Sequence, residues 1–153
     1  MSQPAELASL SESLQMYVKA IHEIQAKKGA ARVTDIARHI GVQKGSVSVA
    51  LKTLSVRGMV NYAPYDVVTL TDAGRVVAED LDRRYGVLRD FFVSVLGIDS
   101  RSAHKEACDL ERHLSEGVRD RFIGFIEYYQ NCTSSKFRWN PELGGFCPDP
   151  DVE

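Results

Sequence analysis

One stretch constrains the fold of this chain more than any other, VTDIARHIGVQKGSVSVALKTLSVRGM at residues 33–59. Its first half carries an apolar stripe that stops at Gly41, a common helix end. Thr34 and Asp35 provide a cap and a negative charge for the start of that helix. In the second half, apolar residues recur at helical spacing, at Val47, Leu51 and Leu54. The pattern predicts two short helices around a tight turn.

The opposite face of the second predicted helix is polar. The residues that we expect on that face or at its entry are Gln43, Lys44, Ser46, Ser48 and Lys52. A DNA major groove admits an α-helix and places phosphates within reach of donors on either side of it. We therefore predict that Lys44 and Lys52 contact phosphate, while the two serines lie at the groove.

A short β-rich hairpin is predicted directly after these helices. Residues 60–62 and 67–70 favour strands, and Ala63-Pro64-Tyr65-Asp66 between them favours a turn. Two helices around a turn, followed by a small hairpin, make a winged helix-turn-helix, which is usually a DNA-binding unit. Two other interpretations stay open: an ordinary helical hairpin in a larger core, and a winged helix that contacts only proteins.

The distribution of charge agrees with a DNA-binding front half. The net charge of the chain is −2, but residues 1–75 hold nine Lys and Arg against six Asp and Glu, a net of +3. Residues 76–153 hold ten against fifteen, a net of −5. A basic front half and an acidic rear half are typical of a DNA-binding domain joined to a cation-sensing or dimerising one.

Several classes of protein are disfavoured by the sequence. No run approaches the ~18 apolar residues of a membrane span, and the first residues lack the basic start and apolar core of a signal peptide. The cysteines are odd in number and far apart, at Cys108, Cys132 and Cys147, as in a reducing compartment. We expect a cytoplasmic protein without a membrane partner. No phosphate-binding glycine loop or nucleophile–base motif is present, so we expect no enzyme.

The remaining chain is predicted to be helical up to about Asn131. Helices are expected over residues 9–28, 72–96, 102–114 and 115–131, with caps at Ser9, Thr71, Ser102 and Ser115. In the last of them, the residues expected to be buried are Val118, Phe122, Phe125, Ile126 and Tyr129. The tail from Cys132 onward is predicted to be a loosely ordered extension without its own core.

The long helix is more apolar near its end than a surface helix of a monomer needs to be. The residues responsible are Leu88, Phe91, Phe92, Val95 and Leu96. A helix with such an excess usually packs against a second copy. We therefore predict a homodimer joined through the rear helices.

The order of elements and several segments resemble the diphtheria-toxin-repressor family of metal-dependent regulators, in particular its short branch, the manganese transport regulators. The segments that carry the resemblance are Leu14-Gln15-Met16-Tyr17, Arg32-Val33-Thr34-Asp35-Ile36-Ala37, Leu70-Thr71-Asp72-Ala73-Gly74-Arg75 and His104-Lys105-Glu106-Ala107-Cys108-Asp109-Leu110-Glu111. The resemblance covers about Ser9 to Asn131 and includes no SH3-like C-terminal domain. It implies a homodimer in which metal binding, between the first helix and the rear helices, favours a DNA-binding geometry.

The resemblance also implies a set of metal ligands. Met16, Cys108 and Glu111 fall on ligand positions of the family, and His104 matches an ancillary-site histidine. Three positions depart from the family pattern. Tyr85 replaces a ligand histidine, Arg89 replaces a glutamate, and Arg112 replaces the histidine that follows Glu111, while His113 lies one step round the helix.

The predicted fold is mainly α. It has a winged helix-turn-helix DNA-binding domain at 1–71, a helical metal-binding and dimerisation domain at 72–131, and a tail at 132–153. The predicted function is a metal-responsive repressor of metal-homeostasis genes that binds an operator in double-stranded DNA as a homodimer. Sulfur ligands favour iron, cobalt, nickel or zinc over manganese, so Fe²⁺ is the expected ion, with Mn²⁺, Co²⁺, Ni²⁺ and Zn²⁺ as alternatives.

Two alternative functions remain from the sequence. In the first, the protein binds DNA without metal, and Arg89 and Arg112 supply the positive charge that the metal supplies elsewhere. In the second, the winged helix is a protein-interaction module that does not bind DNA. Binding to unrelated duplexes that weakens with salt would separate the second alternative from the others, because phosphate contacts release counterions.

Overall fold

The computed structural model describes residues 10–63, 67–131 and 136–149. The chain divides into two compact units, Met1–Asp82 and Arg83–Glu153, which are called unit 1 and unit 2 below. Within the described ranges, no helix combines the length and the apolar character that crossing a membrane requires.

Unit 1 opens with helix α1 (Glu12–Lys28). Its N-cap is Ser11, whose hydroxyl accepts a hydrogen bond from the Leu14 amide at 3.4 Å. The predicted cap at Ser9 lies outside the described residues, and the helix begins after Ser11 rather than at Ser9. Gly29 ends the helix in the left-handed conformation, with φ of 80°, as glycine does readily.

Helix α2 (Val33–Ile40) and helix α3 (Lys44–Val56) form the predicted helix-turn-helix. The predicted cap at Thr34 is wrong, because Arg32 occupies the N-cap position and its side chain makes no capping bond. Asp35 does lie in the first turn, where its carboxylate accepts a hydrogen bond from Lys28 Nζ at 2.8 Å. That hydrogen bond, together with the positive charge of Lys28, holds the pKa of Asp35 below its usual value.

The wing is a two-stranded antiparallel hairpin of β1 (Val60–Asn61) and β2 (Thr69–Leu70). Asn61 Nδ2 donates to Thr69 Oγ1 at 3.1 Å, and Val60 lies opposite Leu70. A further bridge joins Val68 to Ala31, which ties the wing to the start of the helix-turn-helix. Of the predicted turn, Pro64, Tyr65 and Asp66 lie outside the described residues.

The core of unit 1 is aliphatic and includes the start of the long helix α4 (Asp72–Ser94). Its fully buried side chains include Val18, Ile21, Ile36, Val47, Leu51 and Leu54. Val77, Ala78 and Leu81 of α4 pack into the same core. The two units therefore divide inside α4, between Asp82 and Arg83, whereas the boundary expected from the sequence lies at residue 71.

Unit 2 contains the rest of α4 with helices α5 (Ser100–His113) and α6 (Glu116–Asn131). Its buried core consists of Leu88, Phe92, Ala103, Ala107, Ile123 and Ile126. The predicted cap of α5 at Ser102 is wrong. Asp99 is the N-cap, because its Oδ1 atom accepts hydrogen bonds from the amides of Arg101 and Ser102. A hydrogen bond from the Ser102 side chain, together with those from the amides of Ser102 and Arg101, lowers the pKa of Asp99. Helix α6 begins directly after Ser115.

The tail is a second hairpin, of β3 (Phe137–Asn140) and β4 (Gly145–Pro148). The prediction of a loosely ordered extension is therefore wrong for residues 136–149. Tyr129 of α6 fixes the start of β3, because its hydroxyl accepts from the Phe137 amide and donates to the Phe137 carbonyl, both at 2.6 Å. The Trp139 amide donates to the Val95 carbonyl at 2.7 Å, which attaches the hairpin to the end of α4. The side-chain contacts of this hairpin are pairs of aromatic rings, Tyr129 with Phe137 and Phe146 with both Phe137 and Trp139. The spacing of aliphatic residues, on which the prediction was based, does not reveal such pairs.

Burial in unit 2 differs from the sequence prediction at two places. Leu88, Phe92 and Val95 are buried within the chain itself, so they are not an uncovered apolar surface. By contrast, Val118 and Phe125 of α6, which were predicted to be buried, are 54% and 55% exposed. Residue periodicity located the apolar positions but could not tell which face of each helix the neighbouring helices cover.

Candidate nucleic-acid interface and metal centre

Helix α3 presents one face to solvent because its other face is locked into the core. Val47, Leu51 and Leu54 have no exposed surface, as predicted. Gly41, with φ of 80°, turns the chain between α2 and α3, and the amide of Met59 donates to the Leu54 carbonyl at 2.9 Å. Both ends of α3 are therefore fixed relative to the core.

The structure brings the predicted DNA-contacting residues together at the entry and outer side of α3. Gln43, Lys44, Ser46 and Lys52 are exposed, whereas Ser48 is half-buried. Sequence reasoning missed Val49, which lies among these residues and is 66% exposed. The exposed face was predicted from its polar residues, so an apolar residue was not included in it. The position of Val49, two residues after Val47, could have shown that it points away from the core.

The wing and α4 are joined at a tight corner around Thr71. The Thr71 hydroxyl donates to the Gly58 carbonyl at 2.6 Å and accepts from the Gly74 amide at 3.1 Å, so Thr71 caps α4 as predicted. A Cβ atom at Gly74 would lie 2.0 Å from the Met59 carbonyl oxygen. This position can hold only glycine without displacing the backbone between α3 and β1.

In unit 2, Tyr85 of α4 contacts His104 of α5. The Tyr85 hydroxyl is hydrogen-bonded to His104 Nδ1, and the two rings meet edge to face with centroids 5.5 Å apart. The Arg89 guanidinium lies 5.7 Å from the centroid of the Tyr85 ring and pairs with Asp90 at 2.7 Å. Two of the three residues that replace family ligands, Tyr85 and Arg89, therefore form a connected group with His104.

Cys108 and Glu111 act electrostatically on the same tyrosine. Burial raises the pKa of Tyr85, the negative charges of Cys108 and Glu111 raise it further, and Arg89 opposes them. The phenol thus keeps its proton at neutral pH. His104, Cys108 and Glu111 lie within an arc of about 60° on α5, since a helix turns about 100° per residue. Their donors are the imidazole, thiolate and carboxylate that divalent transition metals bind.

The donor atoms of His104, Cys108 and Glu111 are of the kind that binds a divalent transition metal, but their positions do not form a complete site. Among the described residues, no three His, Cys, Asp or Glu side chains converge in a way that could hold an ion. Cys108 and Glu111 lie about one turn apart on α5, and the Nδ1 atom of His104 is engaged by Tyr85. Met16 lies on α1 in unit 1, where it is 44% exposed.

The last turn of α5 carries the other departures from the family pattern. The Arg112 side chain is 70% exposed and lies 4.0 Å from Asp109, so it points to solvent. His113 is also exposed, and its Nδ1 atom lies 2.7 Å from the Asp109 carbonyl. Of the two arginines proposed to replace the metal charge, only Arg89 lies beside the Tyr85–His104 pair.

Two family models cover most of the chain. Residues 9–68 match the N-terminal DNA-binding domain of the iron-dependent repressors. Residues 71–140 match their metal-binding and dimerisation domain. An uncharacterised HTH-type transcriptional regulator of Methanocaldococcus jannaschii is 30% identical over 123 residues, which are 80% of this chain and 98% of that protein. The chain belongs to the metal-dependent repressor family of the diphtheria-toxin-repressor and manganese-regulator type.

Other relatives and solved structures agree with this membership. The transcriptional regulator MntR of Salmonella typhimurium is 30% identical over 77% of this chain and 74% of its own length. The crystal structure of T. acidophilum IdeR matches with a TM-score of 0.63 and 25% identity over 94% of this chain. A manganese-dependent transcriptional repressor in complex with manganese matches with a TM-score of 0.62 and 28% identity over 90% of this chain. The chain spans 66% and 63% of these two solved chains.

Membership in the metal-dependent repressor family confirms the predicted fold class and the predicted type of function. The family consists of transcriptional repressors with a DNA-binding domain and a metal-binding and dimerisation domain, and this chain matches both. Such repressors are not enzymes, as expected. A divalent metal, operator DNA and a homodimer are accordingly supported, while the identity of the metal and the residues of each site stay predictions.

Proposed function

We propose that this chain represses transcription by binding an operator as a homodimer, with α3 of each copy in a major groove and a divalent metal as the effector. The observation that carries this proposal is the division of α3 into a fully buried apolar face and an exposed face bearing Lys44 and Lys52. The family membership supports the same role. A repressor of this kind would act in the cytoplasm, at metal-homeostasis genes.

The lysines would provide the sequence-independent part of binding. Lys44 at the entry of α3 and Lys52 on its outer side would contact phosphates, while Gln43, Ser46 and Ser48 would lie at the groove. Replacing Lys52 by Ala should weaken binding to all duplexes alike and reduce the salt slope by about one phosphate contact per copy. Lys105→Ala, which removes the same charge from unit 2, should leave the slope unchanged. An unchanged salt dependence of binding for Lys52→Ala would show that Lys52 does not contact phosphate.

The dimer would form through the exposed apolar stripe of α6. Val118, Phe125 and Tyr128 lie on one side of this helix and are 54%, 55% and 73% exposed. Gly117 and Gly124 lie on the same side with nothing within 4 Å of a Cβ position, so a second helix could approach closely. A two-fold dimer would bring this face against its own copy.

Sedimentation velocity tests this dimer surface. A charge at Phe125, introduced as Phe125→Asp, should convert the dimer to monomer at micromolar concentration, because an unpaired charge would be buried. Leu143→Asp serves as the control, since Leu143 is 72% exposed in the turn of the second hairpin. A wild-type protein that sediments as a monomer with and without metal would rule out the homodimer.

Cys108 and Glu111 would hold the metal, with Met16 and His104 as further donors. The metal would supply a local positive charge that favours the DNA-binding arrangement of the dimer. The Cys108 thiolate favours ferrous iron over manganese, because manganese prefers oxygen ligands. Anaerobic calorimetry should show about one Fe²⁺ or Co²⁺ per chain for the wild type and none for Cys108→Ala with Glu111→Gln. Cys147→Ala, a change at the cysteine of β4, should bind metal as the wild type does.

A second candidate function has one observation in its favour. The Tyr85–His104 hydrogen bond already links α4 to α5 in unit 2, and Arg89 lies against the Tyr85 ring, at positions where the family places metal ligands. If this link replaces the metal, operator binding should persist in chelator and should be weakened by Arg89→Gln. Loss of operator binding in chelator, with wild-type behaviour of Arg89→Gln, would eliminate this alternative.

A further inference from the structure

The exposed face of α3 is not uniformly polar. Val49 is 66% exposed and Val56 is 89% exposed, and at about 100° per residue both lie on the arc of Lys52, opposite the buried Val47 and Leu51. Single exposed valines are common on protein surfaces and need no explanation alone. Val49, however, lies in the first half of the helix between Lys44 and Lys52, which would engage the phosphates.

The chemistry of a valine limits what it can recognise in a major groove. Its side chain has no hydrogen-bonding group, so it cannot read the donors and acceptors of the base edges. The apolar group that a base presents in that groove is the C5-methyl of thymine. Residues in the N-terminal half of a recognition helix are the ones that reach base edges. Gly45 and the serines at 46 and 48 are shorter than Val49, which leaves Val49 free to approach a base.

We propose that Val49 reads the C5-methyl group of a thymine in each half-site of the operator, and so helps to set its sequence. This inference rests on the proposed DNA binding. Glutamine at the same position would instead pair with adenine through its amide. Val56, at the last position of α3, lies about 10 Å further along the helix axis and does not reach the same base.

The probe is a pool of randomised duplexes, from which the wild-type dimer selects its site in buffer with manganese or ferrous ion. Each thymine fixed by the selection is then replaced by deoxyuridine, which lacks only the methyl group. At one thymine per half-site, this replacement should reduce wild-type affinity about fourfold, the value of one buried methyl group. Val49→Ala should show no such loss, and Val49→Gln should shift the selected base from thymine toward adenine.

Val56→Ala is the matched control, because it removes an exposed valine from the same arc and should keep the full sensitivity to deoxyuridine. Val49→Ile should also keep it, and circular dichroism should show that all four variants fold. Equal affinity for thymine and deoxyuridine at every position, or the same loss in Val49→Ala, would overturn the proposal while DNA binding stands. A protein that selects no duplex and shows no salt-dependent binding would instead overturn the proposed function, and this inference with it.

Discussion

The two units of the chain differ in how completely they bury their large apolar side chains. Unit 1 closes an aliphatic core with α1, α2, α3, the wing and the start of α4. Unit 2 has a smaller apolar core. It also contains Arg84 and Arg119, the two charged side chains that are buried among the described residues. Its last helix and its hairpin also leave large aromatic side chains exposed, at Phe125, Tyr128 and Phe146.

This difference matches the tasks of the two domains. A unit that presents a helix to DNA has to hold that helix rigidly, and the fully buried Val47, Leu51 and Leu54 do so from within one chain. A unit that dimerises has to keep part of its apolar surface for another copy. The buried arginines of unit 2 are costly unless they are paired, which makes its packing more sensitive to changes of charge.

Truncation of one central leucine in each unit is expected to have the largest effect. Leu51 and Leu88 are both fully buried, so Leu51→Ala and Leu88→Ala should each lower the free energy of unfolding by about 2–5 kcal/mol. Urea denaturation measures the loss, and hydrogen exchange should locate it in the unit that carries the change. Faster exchange spread evenly over both units would show that they unfold as one.

Two glycines of α4, one in each unit, should respond in opposite directions to alanine. Gly74→Ala places a methyl group against the Met59 carbonyl and should cost about 3 kcal/mol, because backbone cannot move aside cheaply. A Cβ atom at Gly86 would have no neighbouring atom within 4 Å, so Gly86→Ala should stabilise the helix by about 0.5–1 kcal/mol. Thermal unfolding of the two variants checks the signs. A neutral Gly74→Ala would contradict the tight corner at Thr71.

A comparison of neighbouring arginines tests the buried charge of unit 2. Arg84 is 3% exposed and pairs with Asp120 at 3.4 Å, so Arg84→Met should cost about 2 kcal/mol, less than a fully buried pair because Asp120 is partly exposed. Arg83 pairs with Glu127 but is much more exposed. Arg83→Met should therefore cost less than about 1 kcal/mol. Denaturant midpoints of the two variants decide, and equal losses would show that burial is not the cause.

The smallest effect is expected from the exposed pair between Lys28 and Asp35 in unit 1. The pKa of Asp35 is lowered in the folded protein, so its contribution to stability is present above the ordinary value of 3.8 and is lost as pH falls through the lowered value. Wild-type Tm should therefore fall slightly more than that of Asp35→Asn between pH 5 and pH 3. Parallel curves for the two proteins would exclude this contribution.

The sequence predicted unit 1 better than unit 2, for a physical reason. In the helix-turn-helix, Val47, Leu51 and Leu54 mark the buried face because the opposite residues are polar, and Gly29 and Gly41 mark the helix ends. In α6 both faces carry aromatic and aliphatic residues, so periodicity could not decide that Phe125 is exposed and Ile123 buried. Capping residues were also misplaced where several candidates were adjacent, as at Asp99 and Ser102.

The candidate sites were predictable to different extents for a related reason. Exposure of Lys44 and Lys52 follows from the buried face of one helix, which local periodicity specifies. The link between Tyr85 and His104 joins two helices and depends on how α4 and α5 pack, which the spacing of residues in either helix does not contain. Family resemblance named the positions, but only the packing showed that Arg112 points away from them.

The attachment of Trp139 to the end of α4 gives the protein a built-in spectroscopic label. Trp139 is the only tryptophan of the chain, its amide binds the Val95 carbonyl, and its ring meets that of Phe146 edge to face with centroids 5.4 Å apart. Indole emission therefore reports on unit 2 while unit 1 contributes no tryptophan signal. Fluorescence and circular dichroism recorded on the same sample can thus follow the effector half and the whole molecule separately, without a dye or a mutation.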